Sequence, residues 1–220
     1  MKQLPKDSST AAQRRRNPRG QGGRLRAEII DAASEILAES GDPQQLSLRS
    51  VARRAGIAAT SVYLHFTDID ALTAAVAERN FLELGRAMAR AYRAHVNPGL
   101  ALLAGCRAYY RYAMKNPGQY RVLFGIERPD LRSTRPYRLE QSAGSPVLEA
   151  LAKAIERCRG SGLANVDNDA RVIAILVWTS LHGIVSLRLS RPRFPWPSPY
   201  QLIDLTVRRL VGLDSAGVQT

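Results

Sequence analysis

An all-helical fold is predicted by two observations on this 220-residue chain. Apolar residues recur three and four positions apart through long Ala-, Leu- and Arg-rich stretches, and the strict alternation that marks strands is missing. With 45% hydrophobic residues the chain can bury a real core and fits one or two domains. The net charge of +13 favours a polyanionic partner, and residues 1–26 alone hold eight Lys or Arg against one Asp. Two cysteines, Cys106 and Cys158, are too few for a disulfide scaffold, and MKQLPKDSST lacks the apolar segment of a secretion signal. A reduced, cytoplasmic setting is expected.

Residues 1–23 mix Lys, Arg, Ser, Gln, Pro and Gly with almost no bulky apolar groups, so burial cannot offset the entropy of ordering them. They read as a disordered basic arm. Arg14, Arg15, Arg16 and Arg19, with Arg24 and Arg26 at the start of the first helix, either follow phosphates and a minor groove or serve only as a solubilising tail. From Arg24 to Ser40, Leu25, Ile29, Ala32, Ala33, Ile36 and Leu37 form one apolar stripe. Gly41-Asp42-Pro43 ends that helix.

The stretch from Leu46 to Phe66, LSLRSVARRAGIAATSVYLHF, reads as two short helices joined by a tight corner. Leu48, Val51, Ala52 and Ala55 fall at helical spacing and stop at Gly56, which supplies the left-handed backbone that the corner needs. Ala52 is small enough for close helix approach, and Val62 anchors the second helix, expected at about Ala58 to His65. Its outer side carries Ala59, Thr60, Ser61, Tyr63 and His65, short polar and aromatic groups suited to base edges and phosphates. The pattern is that of a helix-turn-helix, spanning residues 46–65.

With its flanks this segment resembles the DNA-binding domain of TetR-type transcriptional regulators. The resemblance rests on Ser47-Leu48-Arg49-x-Val51-Ala52-x-x-Ala55-Gly56-Ile57, then Ser61-Val62-Tyr63-x-His65-Phe66, then Leu72 opening a long helix. Members often carry a lysine three residues after that Phe; here Ile69 stands there, which removes one phosphate contact that the basic arm would replace. Within the unit, Arg49, Thr60 and Ser61 are expected at base edges, while Ser47, Tyr63 and His65 fix the backbone through phosphates. Arg53 and Arg54 either join them or form a solvated face.

Beyond the reading unit, a helix with Leu72, Val76, Phe81, Leu84 and Met88 is expected to run to about His95, so a domain boundary is placed near residue 70: a DNA-binding domain at 24–70 and a second domain at 71–220. Tyr109, Tyr110, Tyr112, Tyr120 and Phe124 fall within sixteen residues. They either pack as core or line an apolar ligand pocket. Residues 126–140 read as an Arg- and Pro-rich loop, followed by a helix from about Pro146 to Arg159.

No charged residue occurs from Val172 to Leu187, sixteen positions, which is short of the roughly 20 needed for a membrane span. A soluble helix buried on nearly all sides is the preferred reading, with no membrane partner. Trp178-Thr-Ser-Leu-His182-Gly183 resembles a Trp-x-x-x-His-Gly signature of one group of TetR-type C-terminal domains. Trp178 and His182 therefore join the candidate pocket residues, although His182 also reads as a satisfied core histidine. The resemblance further implies that helices at about 168–189 and 200–213 pair with a second copy as a four-helix bundle.

Nothing in the chain marks an enzyme: His65, His95 and His182 are scattered, and no metal-ligand or nucleophile motif appears, so no metal or cofactor is expected. Cys106 and Cys158 read as small buried groups. The expected function is a homodimeric, ligand-responsive DNA-binding repressor on an inverted-repeat operator, released by an unidentified small molecule. The alternatives are a transcriptional activator, or a helical carrier or enzyme whose front domain is vestigial.

Overall fold

The computed structural model describes residues 22–124, 142, 144–165 and 167–213. The basic arm, but for its last two residues, and the loop expected at 126–140 lie outside them. Helix α1 spans Gly22–Ser40, α2 Leu48–Ala55, α3 Ala59–Tyr63, α4 Ile69–Arg93, α5 Pro98–Lys115, α6 Pro117–Phe124, α7 Ser145–Gly160, α8 Ala170–Ser190 and α9 Pro199–Val211, with one 3₁₀ turn at Pro43–Gln45. The all-helical expectation holds.

Local chemistry sets the ends of these helices. Ser47 caps α2 by accepting from the Ser50 N–H, while the Ser50 hydroxyl accepts from the Ser47 N–H, so two otherwise unpaired donors are satisfied together. Asp68 caps α4 by accepting from the Ala71 N–H at 2.7 Å. That bond, with one from the Thr67 hydroxyl, holds the Asp68 carboxyl below the usual carboxylate range. Asn97 caps α5 through the N–H groups of Gly99 and Leu100.

Two apolar clusters hold the chain together. The first gathers Ile29, Ala33 and Leu37 of α1, Leu48 and Val51 of α2, Val62 of α3, Phe66, and Leu72 and Val76 of α4. The second gathers Leu84 and Met88 of α4 with Leu102 and Tyr109 of α5, Leu151 and Ile155 of α7, Val177 and Leu181 of α8, and Ile203 and Val207 of α9. Helix α4 therefore belongs to both, its first two turns in one and the remainder in the other. Each fully buried aliphatic side chain contributes about 1.5–3 kcal/mol.

Helix α6 crosses between the clusters. Its Val122 packs into the first, whereas Tyr120 and Leu123 pack into the second. Arg121 donates to the Gly41 carbonyl at the end of α1, so α6 is tied to the foot of the first unit. Ion pairs brace neighbouring helices: Arg54 of α2 holds Glu35 and Glu39 of α1, Arg79 of α4 holds Asp31 of α1, and Arg107 of α5 holds Asp204 of α9.

Three expectations need correction. Helix α3 ends at Tyr63 rather than His65, because Phe66 must turn back into the first cluster, where it is buried, and its N–H closes on the Val62 carbonyl at 3.0 Å. Helix α4 stops at Arg93, two residues short of His95. Helix α8 is not covered on nearly all sides within one chain. Ile173, Ala174, Val177, Leu181 and Val185 are buried, whereas Val172, Leu176 and Leu187 remain 50%, 44% and 51% exposed. By length and composition alone α8 could cross a membrane, yet its buried stripe is part of the second cluster.

Candidate nucleic-acid interface and internal cavity

The corner between α2 and α3 is made by Gly56 at φ 65°, whose N–H reaches back to the α2 carbonyls of Ala52 and Arg53. Ile57 then donates to the Ala52 carbonyl at 3.0 Å, which sets the angle at which α3 leaves. With Val62 fully buried, the opposite side of α3 faces outward: Thr60 and Tyr63 are exposed, Tyr63 by 55%, and Ala59, Ser61 and His65 are half-buried. Arg49 is exposed on α2. Ser47 is exposed too, but its hydroxyl is engaged in the α2 cap.

Arg24 and Arg26 stand near the start of α1. The Arg26 guanidinium lies 5.1 Å from the centre of the Phe66 ring, directly after the reading helix, and Arg24 pairs with Glu28 at 3.1 Å. Arg54, by contrast, is spent on Glu39 and Glu35, and those bonds raise its pKa further. Of the two arginines left open by the sequence, Arg54 is thus a brace between α1 and α2. Ile69, where members of the resembled family often carry a lysine, opens α4 and packs against the first cluster.

A cavity of about 480 Å³ lies among α4, α6, α7 and α8. One wall is a single stripe of α4, at Asp70, Thr73, Ala74, Ala77, Phe81, Leu84 and Met88, and the small residues near its start leave room where larger ones would fill it. Tyr109, Phe124 and Trp178 border the space, together with Val122, Leu123, Val147, Leu148, Leu151 and Leu181. The size and the largely apolar lining are those of small-molecule sites.

Behind the Tyr109 wall runs a chain of hydrogen bonds. The Tyr109 and Tyr120 hydroxyls are 2.8 Å apart, Tyr120 Oη is 2.8 Å from His182 Nδ1, and His182 Nε2 is 3.2 Å from Ser186 Oγ. Phe124 packs edge-on to His182 with ring centres 4.4 Å apart, and against Tyr120 at 4.9 Å. Burial pushes both tyrosines above the usual phenol range and pulls His182 below the usual imidazole range.

Two of the candidate aromatics belong elsewhere. Tyr110 packs on Tyr200 and under Arg188, near the α8–α9 connection, and the Tyr112 hydroxyl donates to the Asn80 carbonyl at 3.2 Å. Tyr120 and His182 lie behind the lining rather than in it. Ser186 was missed by sequence reasoning, although its place four residues after His182 and eight after Trp178 puts all three on one helix face. Of the α4 stripe, the sequence marks only Phe81, Leu84 and Met88, as candidate core positions, because a cavity wall and a core face have the same periodicity. Cys106 and Cys158 are buried, and burial pushes their thiols up to about 12 and about 11. Among the described residues no cluster of His, Cys, Asp and Glu is arranged to hold a metal ion.

Residues 29–76 match the family described as bacterial regulatory proteins, tetR family, and residues 102–210 match the tetracyclin repressor-like C-terminal domain. A protein of unknown function from Rhodococcus sp. RHA1 is 26% identical, with a TM-score of 0.69 over 86% of this chain and 95% of that one. RolR in complex with resorcinol is 18% identical, with a TM-score of 0.67 over 89% of this chain and 91% of that one. The fatty acid degradation regulator FadR from Bacillus halodurans is 15% identical, with a TM-score of 0.66 over 89% and 97%. Both sequence matches lie in one family and together span the reading unit and the cavity-bearing helices, so the chain belongs to the TetR family and is a ligand-responsive, DNA-binding transcriptional regulator.

Proposed function

We propose that this regulator is a homodimeric repressor that grips an inverted-repeat operator through α3 and lets go when a small molecule fills the cavity. The observation that carries the reading is the shared wall. Asp70, Thr73 and Ala74 of α4 and Val122 of α6 border the cavity, while Leu72, Val76 and the same Val122 are core residues of the reading unit. A molecule between α4 and α7 therefore bears on the elements that hold α3 in place. It releases DNA only if it binds more tightly to an arrangement with a different α3 separation, and DNA must weaken its binding equally.

In this reading the DNA-binding domain ends near residue 70. Arg49, Thr60 and Ser61 meet base edges, Tyr63 and His65 meet phosphates, and Arg24 and Arg26 carry the contact along the backbone with the arm that precedes them. Ser47 acts mainly by ordering α2. Tyr109, Phe124 and Trp178 hold the effector, backed by Tyr120 and His182. The open face of α8, with Leu205 of α9 beside it at 57% exposure, seats a second copy. Such a dimer sets two α3 helices in successive major grooves about 34–36 Å apart.

Selection from a randomised duplex library with the full-length protein tests the proposal. An inverted repeat with half-sites one helical turn apart is the expected product. Enrichment of no palindrome over scrambled DNA would falsify it.

A further inference from the structure

The cavity wall discriminates among chemical classes of effector. Phe81, Leu84, Met88, Leu148, Leu151 and Leu181 make the interior apolar. Among the described lining residues there is no Lys, Arg or His, and Asp70 is the one carboxylate, exposed at the start of α4. An ionised group placed deep in such a space loses its water without gaining a partner.

The hydrogen-bond chain bears on which polar group suits Tyr109, beside Thr73 and Ser142, which also border the space. The Trp178 indole can only donate, so it offers the Tyr109 O–H no acceptor. Two directions remain for the rest. In one, Tyr109 donates to Tyr120, Tyr120 donates to His182 Nδ1, and His182 Nε2–H donates to Ser186. The Tyr109, Tyr120 and His182 donors then each have an acceptor, and the Tyr109 oxygen keeps its lone pairs. In the reverse direction the Tyr109 O–H has only the apolar cavity to point into. Buried donors are seldom left without an acceptor, so the first direction prevails. Burial keeps His182 neutral, as that direction requires. A ligand that offers only an acceptor must invert all three bonds and move the His182 proton from one ring nitrogen to the other. A ligand that offers a donor changes none of them.

We infer that the effector is an uncharged, mainly apolar molecule bearing a hydroxyl or similar donor, whose hydrogen goes to the Tyr109 oxygen, rather than a carboxylate. This rests on the cavity being the effector site.

Calorimetric titration of the full chain with four matched probes separates the possibilities: a naphthol, its methyl ether, naphthalene and the corresponding naphthoate. The naphthol is expected to bind about three- to tenfold more tightly than the ether. The naphthoate is expected to bind more weakly than naphthalene. In Tyr109→Phe the naphthol and ether should bind alike, with naphthalene unchanged. The wild-type series is decisive even if that variant does not fold. An ether or a naphthoate that binds as tightly as the naphthol overturns the inference while leaving the cavity as the effector site. If none of the four binds, naphthalene included, the cavity is not the effector site and both readings fall.

Discussion

A methyl group built on Gly118 of α6 would collide with the carbonyl oxygen of Leu37 in α1. The neighbour is backbone, 2.9 Å away at the Leu37 carbonyl carbon and 3.1 Å at the Gly41 Cα, so it cannot swing aside as a flexible side chain would. The contact presses the short helix that carries Val122 and Tyr120 onto the end of the first helix of the reading unit. Arg121, which donates to the Gly41 carbonyl, holds the same junction.

Gly118→Ala should therefore destabilise the protein by about 1–3 kcal/mol, the usual cost of overpacking a tight contact. It should also loosen the dependence of DNA binding on any effector. Urea denaturation reads the first effect and a gel-shift titration with and without effector the second. A variant as stable and as responsive as the parent would mean that α6 does not bear on α1 in solution.

On the reading helix, Tyr63 and Thr60 should fail differently. If Tyr63 meets a phosphate as proposed, Tyr63→Ala should lower affinity for operator and random duplex together. Thr60→Ala should narrow the gap between the two by about 1–3 kcal/mol, since a base contact carries preference rather than bulk affinity. Neither side chain supports the fold, because both are exposed on α3. Unchanged binding in both variants would show that α3 does not enter the groove.

A charge on the open face of α8 should separate the subunits. Leu176 is 44% exposed within one chain, and Leu176→Glu would bury an unpaired carboxylate if that face meets a second copy. The dimer should weaken by about 3–5 kcal/mol. Light scattering across a dilution series would detect the monomer. A variant that stays dimeric to the same dilution places the interface elsewhere.

His182 gives the protein a signed pH dependence. Burial lowers its pKa below the ordinary value of 6.5, so between that value and the folded one the unfolded chain binds a proton that the folded chain does not. Its contribution to stability is fully present above pH 6.5 and is lost as pH falls through the folded pKa. Thermal melting from neutral to mildly acidic pH should show the wild type losing more stability than His182→Asn. Parallel curves would show that His182 is not held neutral by the fold.

Much of this molecule was legible before any coordinates. Helix positions followed from apolar periodicity, and the corner at Gly56 followed from a glycine set between Ala52 and Val62, because a left-handed residue between two amphipathic segments has few other uses. The side of α3 that faces outward followed once Val62 was assigned to the core. All of these depend on residues close together in the chain, where backbone geometry alone decides who shares a face.

What needed the tertiary structure depends on which faces meet. Five aromatics in sixteen residues looked alike, yet Tyr109 and Phe124 border the cavity, Tyr120 stands behind it, and Tyr110 and Tyr112 serve other contacts. Arg54 and Arg53 were indistinguishable until α1 brought Glu35 and Glu39 to one of them. The α4 stripe from Asp70 to Met88 became a cavity wall because α7 and α8 approach without filling the space beside its small residues. A periodic pattern states that a face will be covered. Only the packing of distant segments decides what covers it, and whether a void is left between them.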